Sequence, residues 1–388
     1  MFRIDEPQTP YSDPWNRSFE QRLKTFLRGS RRVAYFYEAP DNSTFRYRVY
    51  NMIEALGGSE NGIAAAYFTS QEIQQLSAVA ENADVLVVAR ARYTDKLNRL
   101  ITRIRNRGKR VYFDIDDLVF DSDYVHLILQ TLDQDVNHPD VWDFWFAYVG
   151  RVGAAMKLCD GVITTNDYLA QQIRRYAHQP TYVIPNFMNQ QQLDISRRIY
   201  AEKSKRHFER TKDVCLGYFS GTPSHNRDLD IAALAIARLL NEDPRIILVV
   251  VGYMELKAPL QNYASRIRSY ALHDFVNLQR LIGFVEVNLV PLQDNIFTNC
   301  KSELKYFEAG IVGTVSIASP VFSYTRAIRD GENGYLAMST EWYDKLQMVI
   351  SSMDTYSRTA ENAFRDSEAR FSWHNHTALI EKILFPSK

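Results

Sequence analysis

The feature that most restricts this chain is an alternation, run twice, of strand-length apolar segments with helix-length amphipathic ones. Short apolar runs at residues 33–37, 63–68, 85–89, 110–113, 161–164 and 182–184 are separated by helical patterns such as 46–56 and 94–106. A strand that returns through a helix to a neighbouring strand builds a parallel sheet with helices on its faces. The pattern breaks at Ile184-Pro185-Asn186-Phe187, a charged helical stretch runs from Gln190 to about Arg210, and the alternation then restarts. The second set of strands is expected at 214–219, 246–251, 276–278, 287–290, 315–318 and 335–337. At 388 residues the chain is long enough for two cores, so the expectation is two α/β domains joined near residues 185–210. Ligands of open parallel sheets sit beyond the carboxyl ends of the strands, which directs attention to a cleft between the domains.

With 46 basic and 46 acidic residues the formal net charge is zero, which implies no general attraction to nucleic acid or anionic lipid. One local basic run, Arg22, Lys24, Arg28, Arg31 and Arg32, suits a solvated helix end, peripheral contact with a membrane, or an anionic acceptor. Cys159, Cys215 and Cys300 are odd in number, widely spaced and without metal-ligand spacing, as expected of free thiols in a reducing compartment. No apolar run approaches 18 residues and the first residues lack an apolar leader, so a soluble cytoplasmic protein is expected.

The densest chemistry lies in Lys301-Ser302-Glu303-Leu304-Lys305-Tyr306-Phe307-Glu308-Ala309-Gly310. Wound as a helix, Lys301, Lys305 and Glu308 fall within roughly 60° of one another, beside an apolar stripe of Leu304, Phe307 and Ile311. Two cations for phosphate oxygens and a carboxylate for sugar hydroxyls suit a nucleotide-sugar, with Ser302 between them. A solvated helix carrying i,i+4 charges fits the same spacing. A second phosphate candidate is the loop Ser220-Gly221-Thr222-Pro223-Ser224-His225, which follows the first strand of the second domain and precedes a helix. Its backbone N–H groups, with His225 nearby, suit an anion. The loop lacks the lysine of a P-loop and the three glycines of a dinucleotide fingerprint.

In the first domain, Asp114, Asp116 and Asp117 cluster at the end of the fourth strand. Their mutual repulsion suits a general base, their number suits a divalent cation, and Asp117 alone suits a helix cap. His126 is a reserve base. Thr44, Arg46 and Arg48, after the first strand, suit acceptor or phosphate contact, or an ordinary capped helix with surface arginines. Near the end of the chain, Ser372 is expected to cap a last amphipathic helix.

These pieces in this order resemble glycosyltransferases of the GT-B fold, above all the bacterial sugar transferases that build polysaccharides. The likeness is strongest over residues 287–337, from Val287-Asn288-Leu289-Val290-Pro291-Leu292 through the lysine segment to Ala327-Ile328-Arg329-Asp330-Gly331-Glu332-Asn333-Gly334-Tyr335-Leu336. The resemblance implies two Rossmann-like domains facing each other across a cleft. It implies the donor nucleotide in the second domain, a glycan or lipid-linked glycan acceptor in the first, and no essential metal or cofactor. It divides the chain into an acceptor domain (1–188), an interdomain segment (189–210), a donor domain (211–370) and a final helix (371–388) that completes the second domain or crosses back to the first. Glu308 matches the carboxylate placed on the nucleotide ribose, and Lys305 with the Gly221-Thr222 loop matches positions beside the diphosphate. Many retaining members carry a glutamate eight positions earlier, where this chain has Cys300, so inversion stands beside retention. The Lys-Ser-Glu-Leu-Lys variant is similar to rhamnan and O-antigen assembly enzymes, which points to a donor such as dTDP-rhamnose. An epimerase or phosphorylase on this fold, and a sugar-binding subunit without catalysis, are the rival readings.

Overall fold

Twelve strands form two six-stranded, wholly parallel sheets in the computed structural model, which describes residues 1–221 and 226–386. The first sheet holds β1 (Arg31–Tyr37), β2 (Ile63–Thr69), β3 (Val85–Ala89), β4 (Arg110–Ile115), β5 (Gly161–Thr164) and β6 (Thr181–Val183), in the order β2-β1-β3-β4-β5-β6. The second holds β7 (Val214–Ser220), β8 (Ile246–Gly252), β9 (Ile267–Tyr270), β10 (Val287–Val290), β11 (Val315–Ala318) and β12 (Tyr335–Leu336), in the order β12-β11-β10-β7-β8-β9. Strand order reverses between β1 and β3 in one sheet and between β7 and β10 in the other. Such switch points open a crevice beyond the strand ends, because the flanking connections leave on opposite faces.

The strand interiors read as unbroken apolar runs because both faces are covered. Phe36, Val88 and Phe113 pack on one face of the first sheet against Leu97, Ile101, Val149 and Val152. Tyr35, Val87 and Tyr112 on the other face belong to a core that continues through Phe187 and Ile195 to Leu281, Phe307 and Ile311 of the second domain. Each large apolar side chain buried this way contributes about 1.5–3 kcal/mol, so the joint is a packed core rather than a loose contact.

One strand expectation is corrected. Residues 276–278 lie within the helix Phe275–Phe284, whose N-cap Asp274 accepts from the backbone of Val276 (3.0 Å) and Asn277 (2.9 Å). The strand in that part of the order is β9, a sheet edge with mostly exposed side chains, which therefore left no apolar run. The charged stretch after the first sheet is the helix Gln190–Lys205, capped by Asn189.

The ends of the chain are exchanged between the domains. Phe2 is buried in the core of the second sheet, 5.9 Å from the ring of Phe208 and 5.4 Å from that of Tyr356, and its N–H donates to Phe284 O at 2.9 Å. The first residues of the expected acceptor domain thus lie on the other side. The last helix, Thr377–Leu384, packs on the first domain, where Tyr112 Oη donates to Ile383 O (2.9 Å) and Thr377 Oγ1 to Ala55 O (3.0 Å). Ser372 does not cap that helix. It precedes a 3-10 turn, Trp373–Asn375, makes no side-chain cap bond there, and donates its hydroxyl to Glu368 O at 2.5 Å. Beside it, Met188 N–H donates to Phe371 O at 2.8 Å, so the two chain crossings between the domains touch.

Candidate functional site

In the first domain the strand ends carry a charged group whose members answer one another. The segment after β1 enters a single π-helical turn, Arg46–Tyr50, which runs into the helix Asn51–Gly57. Arg46 and Arg48, both buried, reach different partners. Arg48 turns to its own sheet, where Nε and Nη2 grip Asp114 at 2.8 and 3.0 Å and Nη1 donates to Ile184 O and Asn186 Oδ1. With side chains 0% and 1% exposed, this pair cannot meet a substrate, which corrects Arg48 as an acceptor contact and Asp114 as a base. Burial pushes the Asp114 carboxyl up to about 6, with Arg48 pulling the other way.

Asp116 and Asp117 lie beyond the end of β4 and are half-buried. Asp116 accepts from Thr44 Oγ1 (2.9 Å) and Arg90 Nη1 (3.1 Å), and Arg90 Nη1 also donates to Thr44 (3.0 Å). Arg90 directly follows β3, at the switch point, with a left-handed φ of 40°. The strand ends mark this residue, although no motif does. Thr44 is itself buried, so it orders Asp116 rather than facing the cleft. Asp117 accepts from the N–H of Leu118 and faces Lys301 Nζ of the second domain at 3.6 Å. The three aspartates thus face three different cations and do not converge. Among the described residues no group of three or more His, Cys, Asp or Glu side chains is placed to hold a metal ion. His126 is exposed on the helix Val125–Thr131, away from these contacts.

In the second domain the lysine segment is less helical than its spacing predicts. The helix begins at Leu304, so Lys301, Ser302 and Glu303 precede it and the three charges do not share one helical face. Ser302 Oγ accepts from Asn186 Nδ2 at 3.0 Å, and Asn166 Nδ2 donates to the carbonyls of Cys300 (2.9 Å) and Lys301 (3.3 Å). First-domain asparagines therefore hold the segment that carries the lysines. Lys305 is half-buried; among the described residues its ammonium makes no hydrogen bond or ion pair and lies 5.3 Å from the ring centre of Tyr218. Burial pulls it down to about 8, despite the attraction of Asp228. Glu303, which the spacing did not single out, is pushed up to about 7 by burial. Cys300 is fully buried in the core below the first sheet, so nothing at that position faces a ligand. Gly221 is exposed, with open space where a Cβ would lie, while Thr222 and His225 fall outside the described residues.

Glu308 lies between the domains and is 5% exposed. Its Oε1 accepts from Arg46 Nη2 (3.2 Å), Gln192 Nε2 (3.1 Å) and the Tyr47 hydroxyl, and the Arg46 guanidinium is sandwiched by the rings of Tyr47 (4.0 Å) and Phe275 (5.0 Å). Arg46 is thus an interdomain partner of Glu308, not an exposed acceptor contact. Oε2 takes none of these bonds. The arrangement offers one uncommitted carboxylate oxygen between the domains, a half-buried lysine without an ion pair among the described residues, and a half-buried aspartate facing a second lysine.

Residues 214–352 match the family described as "Glycosyl transferases group 1". No curated protein sequence matches the chain. Among solved structures, sucrose-phosphate synthase from Thermosynechococcus elongatus superposes with a TM-score of 0.60 at 14% identity, over 90% of this chain and 97% of that one. Anabaena Alr3699/HepE, solved in complex with UDP, gives 0.59 at 13% identity, over 91% and 99%. A glycosyltransferase from Rickettsia africae gives 0.58 at 12% identity, over 92% and 99%. Two Rossmann-like sheets facing a cleft, in that shared arrangement, are the GT-B fold, and its second domain here carries the glycosyltransferase match.

Proposed function

We infer that the chain transfers a sugar from a nucleoside diphosphate donor to a glycan or lipid-linked glycan acceptor without a metal. The observation that carries this reading is Lys305, a half-buried ammonium near a switch point with no hydrogen-bond or ion-pair partner among the described residues. A half-buried cation without a hydrogen-bonded partner costs stability, and an incoming diphosphate would supply one. As the glycosidic bond breaks, negative charge grows on the diphosphate. Lys305, Lys301 and the backbone at Gly221 would stabilise it there, and preorganised charge of this kind contributes most in a desolvated site. Glu308 Oε2 is assigned to a ribose hydroxyl. Asp117 is assigned as acceptor base because it is half-buried, faces the second domain and, unlike Asp114 and Asp116, holds no arginine. UDP in the HepE structure and the group 1 match support a nucleotide-sugar donor. The lysine segment's likeness to rhamnan-assembly enzymes favours a deoxyhexose such as the rhamnose of dTDP-rhamnose.

A panel of UDP-, dTDP- and GDP-sugars, read by thermal shift, tests the donor, since a ligand that binds only the native state raises Tm by mass action. At least one donor is expected to stabilise the wild type and none the Lys305→Ala variant. Transfer with that donor is expected to continue in EDTA. Turnover lost in chelator and restored by Mg²⁺ or Mn²⁺ would overturn the metal-free reading.

A further inference from the structure

From residue 111 to residue 150 the chain contains nine aspartates and no lysine, arginine or glutamate. The helix Pro139–Met156 begins in this acidic stretch, and its first half reads Val141-Trp142-Asp143-Phe144-Trp145-Phe146-Ala147-Tyr148. Its one basic residue, Arg151, lies beyond that half, where Nε donates to Tyr93 O at 3.0 Å. Phe144 is 55% exposed and Phe146 47% exposed, and Val136 just before the helix is 45% exposed. The residues that turn inward further along, Val149 and Val152, are fully buried, whereas Trp142 and Trp145 are only half-covered. One side of this half, Val141, Trp142, Trp145 and Tyr148, packs on the first-domain core, and Phe144 and Phe146 are left to solvent on the other.

The aromatics are ordered among themselves. Phe144 stacks on Tyr148 (6.1 Å, 19°) and Trp142 on Phe146 (6.3 Å, 25°), the two i,i+4 rows of one helix. Trp142 Nε1 donates to Val136 O at 2.9 Å, which fixes the indole. The stripe is continuous with the cleft wall: Tyr148 Oη accepts from Arg90 Nε at 3.3 Å, and Arg90 holds Asp116.

We propose that this acidic, aromatic helix end is a platform for a neutral glycan, gripping the acceptor chain away from its reacting end. The proposal rests on reading the chain as a glycosyltransferase. Aromatic faces carry negative quadrupole charge that attracts the weakly positive C–H face of a sugar ring. Exposed carboxylates such as Asp140 and Asp143 accept hydrogen bonds from its hydroxyls. The same charge excludes the rival occupant. A helix that lies on an anionic membrane carries lysine and arginine along its polar flank, whereas the exposed half of this one, residues 139–150, carries only the charges of Asp140 and Asp143. Arg151, Arg90 and Arg92 are engaged at its inner end by Tyr93 and Tyr148. Phe144, Phe146 and Val136 are exposed within one short segment rather than scattered singly, the arrangement that marks interaction sites.

Calorimetry and tryptophan fluorescence with neutral glucan, mannan and rhamnan octasaccharides test the platform, with UDP and dTDP thermal shifts as the control. Phe144 and Phe146 are exposed, so the Phe144→Ala/Phe146→Ala variant is expected to fold and to keep the wild-type nucleotide response. At least one octasaccharide is expected to bind the wild type, and to bind that variant roughly tenfold more weakly. No octasaccharide binding, or binding unchanged in the variant, overturns the platform while leaving the nucleotide response to judge the transferase reading separately. Aromatic-dependent sedimentation with phosphatidylglycerol vesicles, or aromatic-dependent dimerisation, overturns it as well and gives the surface to a membrane or a second copy.

Discussion

The carboxyl ends of the two sheets treat charge in opposite ways. In the first domain, Glu38, Asp114 and Asp116 each hold an arginine of the same domain: Arg92, Arg48 and Arg90. In the second, Lys305 is half-buried with no such partner among the described residues. A buried group whose bonds are all met inside its own domain has been recruited for architecture. A group left short is held ready for something that arrives later. The contrast moves the functional weight away from the aspartate cluster and onto the lysine segment and Asp117.

The sharpest break would come at Asp117. As a general base, its Asn variant should lose about 10²–10⁴-fold in kcat while donor affinity and Tm stay near wild type. A few-fold loss or less would return Asp117 to the architectural side and leave His126 as the residue to test. Next in size is Asp114→Ala. Stranding Arg48 without its carboxylate should cost about 3–5 kcal/mol of stability, seen as a large fall in the denaturation midpoint. Turnover per folded molecule should change little.

The smallest effect has the opposite sign. Burial depresses Lys305 to about 8 from 10.5, so the native state disfavours its charged form and carries that cost in full below pH 8. Between about 8 and 10.5 the unfolded chain binds a proton that the native one has released, and the cost fades as pH rises. Lys305→Met should therefore stabilise the protein by ~1–3 kcal/mol at pH 7, with the gain shrinking towards pH 10, although its activity is lost. Urea titrations at pH 7 and pH 10 measure this directly, and a destabilised variant at pH 7 would place Lys305 with the architectural charges.

Much of this was legible in residue order, and the exceptions have physical causes. Eleven of the twelve strands lie where apolar runs are, because strands buried on both faces must be apolar along their length. Only β9 escaped, since an edge strand with exposed side chains has no such run. The lysine segment was marked by composition, but its helix starts three residues later than its spacing implied, at Leu304. Spacing likewise failed at Arg46, Arg48, Asp114 and Glu308, because it says which residues are near in sequence and nothing about partners 66 or 262 positions away. Glu308 in particular belongs to both readings. One oxygen is committed to Arg46, Tyr47 and Gln192, and the other is not.

The contact between Met188 and the Phe371-Ser372 step has a mechanical consequence. Two backbone passages joined side by side resist sliding of one leaf past the other, because a slide would shear the bond between them. Such a slide would also have to open the core that runs from Tyr35 and Tyr112 through Phe187 to Leu281 and Phe307. The third passage, between buried Ile4 and buried Trp15, is pinned along its length: Glu6 accepts from Arg198 and Arg280, Thr9 N–H donates to Asn277 Oδ1 at 2.9 Å, and Tyr11 packs on Phe275. Asp117–Lys301, Asn186–Ser302 and Arg46–Glu308 span the same joint as that bond, so a change in the angle between the two leaves would be felt by all three contacts together.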